Sequence, residues 1–222
     1  MLTELRSPSE NEADLLHDDA VSRDLVVLTH GISSSKWFLL PLARRLRQQG
    51  FDTLLHSYFS LWGSNRQIGR RFARRLHRLA ARYPDRTIHV VAHSMGSIVT
   101  RCALLERVPD SLGRIVMVGP PNRGSDVAQR ISNSTGWLMP TLKELSDTPD
   151  SFVNQLPASV SPYDVGVVVA SHDRVVRPEC TTLDDLTDQV VLRGFHTGVL
   201  WRPETALHVG HFLRTGRFLA VE

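Results

Sequence analysis

Ile88-His89-Val90-Val91-Ala92-His93-Ser94-Met95-Gly96 decides the fold: an apolar, β-branched run, then a serine between small residues, then helical spacing through Ile98, Cys102 and Leu105. An unbroken apolar run of this length suits a strand buried on both faces, as strands of parallel sheets are. A serine on the sharp turn between such a strand and a helix takes a strained backbone, which exposes its hydroxyl at the top of the sheet. Ala92, two residues before, and Gly96, two after, relieve the crowding that the turn creates. The five residues alone say little. In strand–turn–helix order they mark Ser94 as a nucleophile rather than a helix cap.

The same alternation extends to both sides. Upstream, Leu25-Val26-Val27-Leu28-Thr29 ends in His30-Gly31-Ile32; a helical spacing through Phe38, Leu39, Leu42 and Leu46 stops at Gly50, and Thr53–His56 forms a short strand. Downstream, Gly113–Val118 breaks at Gly119-Pro120-Pro121-Asn122, Val165–Ala170 is a fifth strand, and Gln189–Arg193 is a weaker sixth. Pro203 opens a closing helix that carries Leu207, Phe212 and Leu213, since proline fits a first helical turn. Strands alternating with helices predict a three-layer α/β/α sandwich with a reduced, mostly parallel sheet of about six strands. Residues 122–162 are looser and rich in Ser, Thr, Asn, Pro and Asp, which predicts short helices in a small cap-like excursion. The expected organisation is a flexible arm over 1–22 and a single domain over 23–222, a size that one core can serve.

Composition narrows the class. Hydrophobic residues make up 41% and charged residues 22%, as in an ordinary well-packed globular protein. No apolar run reaches the roughly 18 residues that span a bilayer. The leading residues are polar and acidic where an export signal is basic and apolar, which reads as cytoplasmic, a removed export signal being the alternative. Cys102 and Cys180 are too few for a disulfide framework and read as packed thiols, with a single bridge left open. The net charge of +3 is concentrated in Arg70, Arg71, Arg74, Arg75, Arg78 and Arg82, interleaved with Ile68, Phe72, Leu76, Leu79 and Tyr83. That is an amphipathic helix with a basic outer face: a solvated surface, or one weakly drawn to an anionic membrane. No aromatic–basic repeat, zinc spacing or recognition-helix pattern points to nucleic acid. Neither a metal-ligand spacing nor a phosphate or dinucleotide loop follows the first strand, so no cofactor is expected.

A serine hydroxyl needs a base, and the base needs an acid to orient it. With the nucleophile on such an elbow, the acid and then the histidine follow it along the chain. Asp173 follows the Val165–Ala170 strand at its carboxyl end, where ligands gather in open α/β sheets, and His196 follows the last strand in the same way. Asp164 and Asp188 enter strands rather than leave them; they and Asp184 and Asp185 read as caps or surface acids. His93 reads as a structural neighbour of the serine. The N–H of Met95 and that of Ile32 are the expected donors to a developing oxyanion, with Gly31 allowing close backbone approach. Trp37, Tyr58, Phe59, Trp62 and Trp137 are expected either along a substrate pocket or as packing elements.

Together these residues resemble the lipase and esterase branch of the α/β-hydrolases. Leu28-Thr29-His30-Gly31-Ile32 is similar to its oxyanion segment, and Ala92-His93-Ser94-Met95-Gly96 resembles the Ala-x-Ser-x-Gly elbow of small bacterial lipases. Gly119-Pro120-Pro121-Asn122-Arg123-Gly124-Ser125 is similar to a Thr-Pro-x-x-Gly-Ser/Thr stretch of that branch, His172-Asp173-Arg174-Val175-Val176 to its Asp-x-x-Val acid loop, and His196 stands where its base does. The resemblance covers residues 25–215 and implies a carboxylic ester substrate, a lipid ester such as an acylglycerol included. A thioesterase, amidase or acyltransferase would use the same residues. Haloalkane dehalogenases and epoxide hydrolases need an aspartate where Ser94 stands. The rival from another class is a non-catalytic binding module on this scaffold.

Overall fold

The computed structural model describes residues 23–61, 63–135 and 139–220, so the expected arm over 1–22, Trp62 and Trp137 lie outside the described residues. Six strands pair in one all-parallel sheet: β1 (Leu25–Thr29), β2 (Asp52–His56), β3 (Ile88–His93), β4 (Leu112–Val118), β5 (Val165–Ala170) and β6 (Asp188–Leu192). Their order across the sheet is β2-β1-β3-β4-β5-β6. Among the described residues the α-helices are α1 (Leu40–Gln48), α2 (Asn65–Arg82), α3 (Met95–Leu104), α4 (Asp126–Thr135), α5 (Pro140–Lys143), α6 (Phe152–Gln155) and α7 (Pro203–Thr215).

Side chains alternate across a strand, so each apolar run supplies both faces of the sheet. Leu25, Val27, Val90, Ala92, Ile115, Met117, Val165 and Val167 join one core with Phe72 and Leu76 of α2 and Ile98 of α3. Val26, Leu28, Val91, Val116, Val118 and Val168 join the other with Leu42 and Leu46 of α1 and Phe212 and Leu213 of α7. Each fully buried Leu, Val or Phe contributes roughly 1.5–3 kcal/mol by leaving water.

Local signals fix where the helices start and stop. Ser64 Oγ caps α2 by accepting from the Gln67 N–H at 3.2 Å. Pro203 occupies the first turn of α7, and Gly216 ends it at φ 77° with its N–H on the Phe212 carbonyl. Gly69 lets α2 approach α3: a Cβ there would stand 2.4 Å from the Cys102 Cβ. Cys102 and Cys180 are both free and buried, and burial pushes the Cys102 thiol up to about 12.

The excursion between β4 and β5 belongs to the helical layer. Ala128, Leu142, Leu145, Val153 and Leu156 are buried in the same core as Phe72 and Met95. Buried Arg101 ties its two ends, donating to the Asn122 carbonyl at 2.8 Å and the Pro157 carbonyl at 2.9 Å. The Glu144 carboxylate accepts from both the backbone and side-chain N–H of Asn65, fastening the excursion to the first residue of α2. Among the described residues no helix is long and apolar enough to cross a membrane.

The winding positions the site. From β1 the chain moves outward to β2, then returns past β1 to β3. Right-handed crossovers therefore put α1 on one face and α2 on the other. The reversal leaves a crevice beyond the carboxyl ends of β1 and β3, where Gly31 and Ser94 lie side by side.

Candidate active site

β3 ends at His93 and α3 begins at Met95, with Ser94 between them at φ 51° and ψ −126°. That conformation is strained for a residue with a side chain, so its surroundings must hold it. The Ser94 N–H donates to the Val118 carbonyl at 2.9 Å, and its carbonyl accepts from the Ser97 N–H at 2.9 Å. Small neighbours are a steric requirement. A Cβ on Gly96 would lie 2.8 Å from the carbonyl oxygens of Thr29 and His30, and one on Gly31 would lie 3.0 Å from the Ser94 Cβ.

His196 Nε2 lies 2.9 Å from Ser94 Oγ, and His196 Nδ1 lies 2.7 Å from Asp173 Oδ2. A carboxylate only accepts, so Nδ1 carries the proton and Nε2 is left to accept from the serine hydroxyl. Asp173 Oδ1 accepts from the N–H groups of Val175 and Val176 at 2.8 and 2.9 Å. The Asp173 side chain is 1% exposed. Burial alone pushes its carboxyl up, but the hydrogen bond and charge of His196, then the two amides, outweigh it and hold Asp173 below the usual carboxylate range. Asp164 pairs with Arg114 and Asp184 with Arg123, while Asp185 caps the Val160 and Ser161 amides and Asp188 accepts from the Phe218 N–H. The structure thus brings Ser94, His196 and Asp173 together and leaves the other acids engaged elsewhere.

Two residues to which the sequence reading gives no role at the site complete the arrangement. Gly119, at φ 56°, sits against the pair: a Cβ there would lie 3.1 Å from His196 Nδ1 and 3.4 Å from Asp173 Oδ2. The sequence signal is the strand break at Gly119, the start of the stretch that resembles the lipase branch, and it gives no contact with the histidine. His93 does more than neighbour the serine. Its Nε2–H donates to the His196 carbonyl at 3.2 Å, and the rings lie 5.0 Å apart. Burial, then the charge His196 can carry, pushes His93 down to about 3, so it stays neutral near neutral pH.

The loop beyond β1 is also pinned. His30 Nδ1–H donates to the Gly31 carbonyl at 2.8 Å, leaving Nε2 to accept from the Tyr58 N–H at 3.4 Å. Tyr58 stacks on His30 with ring centroids 4.4 Å apart, and its hydroxyl donates to the His30 carbonyl. Ser33, at φ 49°, donates its N–H to Ser60 Oγ at 3.1 Å. Among the described residues the Met95 and Ile32 amides donate to no protein acceptor; Met95 opens α3, and the first amides of a helix have no partner within it. Of the expected pocket aromatics, Tyr58 braces this loop, while Trp37 and Phe59 stand 62% and 67% exposed.

The chain matches the α/β hydrolase fold family over residues 24–153, more than half of its length and including Gly31 and Ser94. It belongs to that family. No curated protein sequence matches it. Among solved structures it is similar to the lipase BlEst2 of Bacillus licheniformis in mature form, at 15% identity and TM-score 0.69, over 90% of this chain and 94% of that one. In the propeptide form the identity is 14% and the TM-score 0.69, and the match covers 92% of this chain but 52% of that one, about half its length. Phospholipase PlaB of Legionella pneumophila is 15% identical with TM-score 0.69, over 87% of this chain and 60% of that one. At such identity the likeness is one of fold.

Proposed function

We propose that this α/β-hydrolase family member is a serine hydrolase that cleaves carboxylic esters through an acyl-enzyme on Ser94. The observation that carries the reading is the unbroken relay from Ser94 Oγ to His196 Nε2 at 2.9 Å and from His196 Nδ1 to Asp173 Oδ2 at 2.7 Å. Ser94 Oγ attacks the ester carbonyl carbon while His196 Nε2 takes its proton. The carbonyl oxygen becomes an oxyanion, met by the Met95 and Ile32 amides; each such donor contributes about 2.7–4 kcal/mol to the transition state. Collapse breaks the bond to the alcohol, which leaves with the proton from His196. Water then attacks the acyl-serine, gives its proton to His196, and the acid departs as Ser94 regains its hydrogen. Asp173 holds the required tautomer throughout and stabilises the imidazolium. The names of the lipase and phospholipase that share the fold agree with an ester substrate.

The test is hydrolysis of p-nitrophenyl esters from acetate to palmitate by the protein and by Ser94→Ala. Turnover that Ser94→Ala abolishes, with the fold intact by circular dichroism, is the expected result, and the chain-length profile reports the acyl pocket. Equal turnover by both proteins would sink the reading. No turnover by a well-folded protein would also count against an ester substrate.

A further inference from the structure

The edge of the sheet that presents Ser94 also exposes large apolar side chains that bond cleavage does not use. Trp37 is 62% exposed, Phe38 44%, Trp201 46% and Phe195 63%. Trp37 and Phe38 follow β1; Phe195 and Trp201 follow β6. The two sides meet, because the Phe38 and Trp201 rings stack 6.1 Å apart and Trp201 Nε1–H donates to the Phe38 carbonyl at 3.1 Å. Aromatic rings held in water forgo the burial that drives folding, so a set of them at one edge marks a surface covered in use.

Cations frame the patch. Lys36 Nζ lies 5.2 Å from the centre of the Trp37 ring. On the far side, His172, Arg193, Phe195 and Arg202 line a recess of about 300 Å³. Phe195 lines the recess and Arg202 directly follows Trp201, so the recess lies beside the patch. Glu204 pairs with Arg202 at 3.1 Å. Arg193 is exposed and has no carboxylate partner among the described residues. Three permanent cations against that carboxylate leave the surface positive.

We propose that this edge docks onto an anionic lipid bilayer, its aromatic rings entering the headgroup layer and the recess receiving a lipid phosphate. Trp suits that boundary because its ring is apolar with one polar N–H, and Lys and Arg keep their charges at the headgroups while their stems lie along apolar surface. Negative surface potential draws such residues within a Debye length. The basic face of α2 is a weaker candidate: Ile68, Phe72, Leu76 and Leu79 are all buried, so that helix offers charge without an apolar anchor. Docking by the carboxyl edge turns the crevice at Ser94 toward the lipid.

Co-sedimentation of the Ser94→Ala protein with vesicles measures docking alone. Vesicles of phosphatidylcholine mixed with an equal part of phosphatidylglycerol should pull the protein down, with binding weakened by salt; phosphatidylcholine alone should bind far less. Neutralising two surface cations with Arg193→Gln and Arg202→Gln should weaken binding about 30-fold. Replacing the rings with Trp37→Ser and Trp201→Ser should lower binding at every salt concentration, with circular dichroism confirming the fold of each variant. Equal binding to both vesicle types would overturn the proposal. So would loss of binding through Arg71→Gln, Arg74→Gln and Arg78→Gln but not through the edge variants, which would move the contact to α2. Absence of vesicle binding together with a dimer in sedimentation velocity would assign the patch to a second copy of the chain. None of these results bears on whether Ser94 cleaves esters, which the p-nitrophenyl assay decides separately.

Discussion

Asp173→Asn is the perturbation that tests the relay most sharply, because the structure dictates which way the new amide must face. Asp173 Oδ1 accepts from two backbone donors, Val175 N–H at 2.8 Å and Val176 N–H at 2.9 Å. An asparagine that turned its NH2 toward those amides would set donor against donor and break both hydrogen bonds. Its oxygen must therefore keep that position, which places the NH2 where Oδ2 now meets His196 Nδ1 at 2.7 Å. An NH2 only donates, so Nδ1 must become the acceptor and the proton moves to Nε2. Nε2–H then faces Ser94 Oγ and cannot take its hydrogen. The shape is nearly unchanged and one acceptor for both backbone amides survives, so the fold should persist, with a thermal midpoint lowered at neutral pH by loss of the stabilised carboxylate. Turnover should not survive. The loss expected for a wrong tautomer is about ten-thousand-fold in kcat, or about 5 kcal/mol of barrier. The assay is steady-state ester hydrolysis with circular dichroism as a control. If Asp173→Asn kept kcat within tenfold of the parent, the tautomer argument, and with it the role given to Asp173, would be wrong.

Gly119→Ala adds a Cβ 3.1 Å from His196 Nδ1 at a φ of 56°; kcat should fall about 10- to 100-fold with KM nearly unchanged, as a displaced reacting group costs. An unchanged kcat would show that the pair tolerates a methyl at its back. Gly69→Ala puts a Cβ 2.4 Å from the Cys102 Cβ and 2.9 Å from the Val99 carbonyl oxygen; forcing α2 from α3 should cost about 1–3 kcal/mol, read as a lower midpoint in urea unfolding. Burial pushes His93 and His56 from 6.5 down to about 3, so below 6.5 the unfolded chain binds protons that the folded one refuses. Stability should therefore decline as pH falls from about 6.5 toward 3, each histidine adding a slope of about 1.4 kcal/mol per pH unit. Asp173, held below the usual carboxylate range, contributes stability present at neutral pH that is lost only as pH falls through its lowered value. Urea midpoints that stay level from pH 7 to pH 4 would contradict the histidine argument.

What could be read from the chain and what could not follows the range of each constraint. Val165–Ala170 was legible to the residue because a strand buried on both faces must be apolar throughout, and all six of its residues are buried. β6 runs one residue earlier than its pattern suggests, since it is an edge strand whose Gln189 and Val191 face solvent. The turn at Ser94 was legible because its needs lie within five residues. The polar ties that make the excursion part of the core were not, since Glu144 meets Asn65 and Arg101 meets Asn122 and Pro157 far along the chain. Burial of a tryptophan has no local signature either, which is why Trp37 could be expected in a pocket and yet stand exposed.

Gly119 shows how sheet order creates a requirement that no local pattern contains. Ser94 follows β3 and His196 follows β6, with β4 and β5 between them. Neighbouring strands lie about 4.8 Å apart, so those two strand ends are separated by about 14 Å. The loop beyond β6 must lean back over the ends of β5 and β4 for His196 Nε2 to come within 2.9 Å of Ser94 Oγ. Asp173, at the end of β5, meets the ring partway. The end of β4 lies directly in the path, and the residue there is Gly119. A Cβ at that point would press on the imidazole at 3.1 Å, so the need for a small residue there follows from carrying the serine and the histidine three strands apart.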